Sequence, residues 1–148
     1  METRMDKIGA AGLAATIAVA IGMVVHLSGQ PAQLDADFRS PVTAEVRDAQ
    51  GMVMLRGTFG PDGGDSDTEV ERRAALTSVE ARGTAAGDAE VEYQVSNPHL
   101  QEVEFKVKGV PARSVLTLVI DGTAAVSATA NDNGEAEAEV TVAVAQRP

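Results

Sequence analysis

Glu102-Val103-Glu104-Phe105-Lys106-Val107-Lys108 alternates a charged with an apolar side chain at every step. A period of two puts Val103, Phe105 and Val107 on one face of an extended strand and Glu102, Glu104, Lys106 and Lys108 on the other. Glu135 to Val144 repeats the pattern, with Ala136, Ala138, Val140, Val142 and Val144 facing away from Glu135, Glu137 and Glu139. Half-buried strands of this kind belong to antiparallel sheets with one wet face, so the class is mainly β.

Working outward, the same alternation recurs between turn residues. Ala89 to Ser96 sets Val91, Tyr93 and Val95 on one face, and Val42, Ala44 and Val46 do so nearer the start. Ala49-Gln50-Gly51 supplies a turn before a second strand, Met52 to Thr58. Glu69 to Glu80 fits a short helix or a strand, and its neighbours favour the strand. Ala81 to Asp88 reads as a loop. Ser96-Asn97-Pro98-His99 reads as a turn, with His99 a surface residue. Ser114 to Asp121 ends at the Asp121-Gly122 turn, and Asn131-Asp132-Asn133-Gly134 is an Asn-Gly turn between two alternating runs, Thr123 to Ala130 and Glu135 to Val144, a hairpin signal.

Seven or eight short strands without a long helix predict an antiparallel β-sandwich over residues 42–148, with an immunoglobulin-like topology as one form of it. The chain of 148 residues contains no Cys and no Trp, so the Cys…Trp…Cys framework of true immunoglobulin domains is missing. Aromatic residues make up only 3% of the chain, and Val and Ala must fill most of the core. Met52 to Leu55 and Val115 to Ile120 are apolar on both faces. Such strands are either central ones covered from outside or faces docked on another protein.

Ahead of the strands, Ile8 to Leu27 is a run of 20 residues without a formal charge. As a helix it is about 30 Å long, the thickness of a bilayer's hydrocarbon core. Arg4 and Lys7 precede it, and the next basic residue is Arg39. The positive-inside bias then puts residues 1–7 in the cytoplasm, the helix over 8–27 in the membrane and the domain outside it, and the Ala- and Val-rich composition without cysteine suits a bacterial inner membrane and periplasm. Residues 28–41, polar and punctuated by Pro31 and Pro41, read as a linker. The run exceeds the roughly 7–15-residue core of a signal peptide and lacks a small-x-small cleavage pair, which favours a retained anchor over a cleaved leader on a secreted protein.

On that helix Ala10, Ala14, Ala18 and Gly22 form one row of small residues, and Gly12, Thr16 and Ala20 form a second on nearly the opposite side. Small residues permit close backbone approach, which drives helix association in lipid. Integral membrane subunits and the bilayer are therefore the expected partners. His26 follows Gly22 by four positions. That spacing resembles the small-xxx-His step of bacterial light-harvesting polypeptides, which implies His26 as a candidate ligand for a tetrapyrrole magnesium. The resemblance spans five residues, and the tryptophans of those polypeptides are absent.

A net charge of −10 argues against nucleic-acid binding, which draws its affinity from Lys and Arg on phosphates. The absence of cysteine excludes disulfide, CxxC and cysteine-zinc chemistry. No GxSxG, HExxH, GxGxxG or GK[ST] motif occurs, so the expectation is a non-catalytic chain. Asp62, Asp65, Asp67 and Glu69 lie on a Gly-rich loop and make a candidate calcium site, although the spacing is not that of an EF-hand. Two functional readings follow. One is an anchored accessory or scaffolding subunit of a larger membrane complex, and the other is a freestanding surface-binding module, calcium-dependent in one form.

Overall fold

The computed structural model describes residues 32–34, 36–61 and 66–144. The expected membrane helix over 8–27 lies outside them. Among the described residues, the alternating runs become nine strands: β1 Ala32–Leu34, β2 Thr43–Arg47, β3 Val53–Thr58, β4 Glu69–Ser78, β5 Ala86–Gln94, β6 Asn97–Lys108, β7 Val115–Ile120, β8 Thr123–Thr129 and β9 Glu135–Val144. The ambiguous segment from Glu69 is a strand, as its neighbours implied.

The strands join one sheet in the order β1-β9-β6-β5-β4-β3-β2-β7-β8. All pairs are antiparallel except β1 on β9. The sheet curls until β8 lies near β9, leaving a barrel-like wall that is almost closed. The mainly β expectation holds, but one continuous ladder replaces two separate sheets. The join between the halves β9-β6-β5-β4 and β3-β2-β7-β8 is short: Leu55 opposite Ser78, Arg56 opposite Thr77, and a bridge from Phe59 to Ala74. A Cβ on Gly57 would stand 2.3 Å from the Ala75 carbonyl oxygen, so only glycine lets β3 and β4 approach this closely.

One core serves both halves. Val46, Leu55, Leu76, Val91, Val103, Phe105, Leu116, Leu118, Ile120 and Val142 are all fully buried, together with alanines such as Ala44 and Ala89. The inward Val103, Phe105 and Val107 of the opening motif are among the buried residues. Val119, on the other face of β7, is also buried, and the Thr117 and Ser127 hydroxyls hydrogen-bond at 2.8 Å. The double-sided apolar character of β7 is thus largely covered within the chain. Met54 packs on the core, whereas Met52 is 67% exposed.

Turn chemistry explains one hairpin and corrects another. Asp121 (φ 47°) and Gly122 (φ 84°) both occupy the left-handed region, which is the type I′ geometry that twists with its strands. Asn131 to Gly134 does turn the chain, with the Gly134 N–H donating to the Asn131 carbonyl at 3.1 Å. It does not make the expected hairpin. β8 goes on to pair with β7, and β9 pairs with β6, so this turn is the corner where the chain crosses the open seam. Its central residues, Asp132 and Asn133, both lack the positive φ that a type I′ turn needs, and only Gly134 after them has it.

Two other expectations shift. Residues 36–41, read as part of a linker, carry Phe38 into the core at 3% exposure. His99 lies on β6 rather than in a turn, the turn being at Val95-Ser96.

Candidate functional site

The site begins with an irregularity at the start of β6. Gln94 pairs with Asn97, but the next residue back, Tyr93, pairs with Gln101, so Pro98, His99 and Leu100 bulge out. Proline has no N–H to give a ladder, and bulges are where strands tolerate it. Continuing the first register would set Glu92 opposite His99. The shift of an odd number of residues exchanges the faces of β6, so Gln101, Val103 and Phe105 point inward and Glu92 comes to stand opposite Glu102.

Gln101 holds this arrangement. Its amide is fully buried, accepts the Phe38 N–H through Oε1 at 2.8 Å, and donates through Nε2 to the Pro98 carbonyl at 3.2 Å and to Asp37 Oδ1 at 3.0 Å. A buried amide needs such partners, and here the oxygen and both N–H groups have them. Asp37 is in turn paired with Arg39, and this pair holds its carboxyl well below the usual carboxylate range despite an opposing effect of burial.

The outward face of β4-β5-β6-β9 is built from cross-strand rows. Glu71, Glu92, Glu102 and Thr141 form one row; Arg73, Glu90, Glu104 and Glu139 form the next; Ala75, Asp88, Lys106 and Glu137 form the third. Arg73 pairs with Glu71 at 3.0 Å and also with Glu90. Lys106 pairs with Glu104 at 2.7 Å and with Glu137 at 3.5 Å. No ion pair of the described residues reaches Glu92 or Glu102. Like charges directly opposite weaken a sheet by roughly the few tenths to 1 kcal/mol that opposite charges contribute.

Both of these carboxyls are pushed above the ordinary glutamate range. For Glu92 the causes are partial burial first, then the negative fields of Glu69, Glu102 and Glu90, and a hydrogen bond with Glu69. For Glu102 they are again partial burial, then Glu139, Glu104, Glu90 and Glu69. At one end of the face a shallow groove of about 410 Å³ is bordered by Asp88, Lys106, Lys108, Glu135 and Glu137. Across its three rows the face carries more carboxylates than cations, Arg73 and Lys106 being its basic residues.

The residues singled out in the sequence are distributed unevenly. Ala10, Gly12, Ala14, Thr16, Ala18, Ala20, Gly22 and His26 lie outside the described residues, as do Asp62 and Asp65. Asp67 is exposed. Glu69 opens β4 and accepts a hydrogen bond from Gln94 Nε2 at 2.6 Å, on the sheet face. Among the described residues no group of three His, Asp or Glu side chains could hold a metal. Sequence reasoning identified Glu102, Glu104 and the β9 glutamates as outward, but not that they oppose one another. The only local sign of the shifted register was Pro98 in an otherwise alternating run.

Comparisons with protein-family models, with curated proteins and with solved structures find no match for this chain.

Proposed function

We propose that this chain is a non-catalytic, single-pass accessory or scaffolding subunit of a larger bacterial membrane complex. In this reading, the helix over 8–27 crosses the inner membrane with residues 1–7 in the cytoplasm. It packs against integral membrane subunits through Ala10, Ala14, Ala18 and Gly22 and through Gly12, Thr16 and Ala20. The β domain lies in the periplasm as a sandwich of two facing halves and braces the outer surface of those subunits.

The observation that carries the reading is the uncharged run Ile8–Leu27, with Arg4 and Lys7 close before it and no basic residue after it until Arg39. A feature of the domain supports a bracing role. Ahead of β2 the Phe38 side chain is buried in the core and its N–H is held by Gln101, a firm attachment of the segment that precedes the domain's second strand.

Substitution of Ala14 and Ala18 by isoleucine fills one small-residue row without reducing hydrophobicity. Purification in mild detergent is expected to recover the unaltered chain with membrane partners and the double variant without them. A chain that is solitary both before and after the substitutions overturns the proposal, as does a mature product lacking its first 30 or so residues.

A further inference from the structure

The glutamates of the outward face are set against one another by the register of four strands. Glu92 on β5 and Glu102 on β6 are direct cross-strand neighbours. From β4 they are faced by Glu69, Glu71 and Arg73, from β9 by Glu139 and Thr141, and along their own strands by Glu90, Gln94 and Glu104. Arg73 is the one cation in this set, and Glu71 and Glu90 engage it. Lys106, a row beyond, is engaged by Glu104 and Glu137. Among the described residues no cation engages the central pair, and its charged neighbours other than Arg73 are all carboxylates.

We propose that this sheet face is an acid-responsive element: a proton taken up between Glu92 and Glu102 relieves repulsion across β5 and β6, so the domain is more stable near pH 5 than at neutral pH. A proton between two opposed carboxylates turns a repulsive contact into a hydrogen-bonded one. Both glutamates titrate above their ordinary value in the folded chain, so the folded state binds more protons than the unfolded state over that interval. Stability is then fully present below the unfolded value and is lost as pH rises through the folded one. The inference uses the sheet alone and stands whether or not the leading segment crosses a membrane.

The test is thermal melting of the full-length chain, followed by circular dichroism, at about pH 5, 6 and 7.5 and constant ionic strength. The midpoint is expected to rise by on the order of a few degrees from the highest pH to the lowest. In the double variant Glu92→Gln, Glu102→Gln it is expected to be raised at neutral pH and nearly flat. A His99→Gln control, which removes the imidazole on β6, is expected to retain the rise. A flat or falling midpoint in the unaltered chain overturns the proposal, and so does a double variant that keeps the full rise or a control that abolishes it. Should the double variant fail to fold, added monovalent salt is a second measurement. Screening is expected to raise the midpoint of the unaltered chain more at neutral pH than near pH 5, and an equal or absent effect rejects the idea.

Discussion

The Gln101 side chain accepts the Phe38 N–H at 2.8 Å across 63 residues of sequence, and the same amide donates to the Pro98 carbonyl at 3.2 Å. One buried polar group thus ties the leading segment to the core and fixes the bulge that sets the register of β6. Its three hydrogen bonds cannot be replaced by an apolar side chain.

Gln101→Leu, which keeps the volume and removes the amide, is expected to destabilise the domain by about 2–3 kcal/mol, because the Phe38 N–H and the Pro98 carbonyl lose their buried partner. Urea denaturation measures the loss. Hydrogen exchange is expected to localise it to β5, β6 and residues 36–41. A variant as stable as the parent would show that water replaces the amide there without cost.

Asp121 performs a similar task in the open. Its carboxylate accepts the Thr43 N–H at 2.7 Å, the Val42 N–H at 3.0 Å and the Thr43 hydroxyl at 3.0 Å, while its own backbone holds φ at 47°. Asp121→Ala is expected to cost about 1–2 kcal/mol through lost charge-assisted bonds and left-handed strain. Asp121→Asn, which tolerates that φ and keeps an acceptor, is expected to cost less than half as much. Equal losses in the two variants would contradict this account.

Gly57 tests the join between the two halves of the sheet. An added methyl would be driven against the Ala75 carbonyl, and the short ladder there, Leu55–Ser78 and Arg56–Thr77 with the Phe59–Ala74 bridge beyond, must resist displacement. Gly57→Ala is expected to destabilise by roughly 1–3 kcal/mol and to raise exchange at β3 and β4 before the β5–β6 ladder. Unchanged protection at β3 and β4 would show that the join is more compliant than its geometry suggests.

Strand identity was legible because alternation over Glu102–Lys108 and Glu135–Val144 is a local property that burial then confirms. Connection was less so. The Asn133-Gly134 dipeptide announces a turn, but which strand β9 then joins depends on β6, presented by distant chain. Phe38 stands between charged residues and looked like part of a tether. Its burial depends on Gln101, and a glutamine in an alternating run carries no mark of being inward. The facing of Glu92 and Glu102 depends on three bulged residues, 98–100, whose effect on register appears only when both strands are placed.

Below the range in which Glu92 and Glu102 titrate, a second set of carboxyls takes over with the opposite sign. Asp37 is lowered first by its hydrogen bond to Arg39, with further help from the Arg39 N–H and Gln101. Glu45 is lowered by Arg47 and then Arg56, bound at 2.5 and 2.7 Å. Depressed values mean that the unfolded chain binds more protons in this interval. The stability these pairs supply is present above the ordinary carboxylate range and is lost as pH falls through the depressed values. With the glutamate pair acting at higher pH, the melting midpoint is expected to pass through a maximum near pH 5 and to fall below about pH 4. Asp37→Asn combined with Glu45→Gln is expected to lower the midpoint at neutral pH and to flatten the acid limb while leaving the rise between neutral pH and the maximum in place. Melting curves of parent and double variant across that range decide the matter. An acid limb equally steep in both would mean that carboxyls other than these two govern acid unfolding.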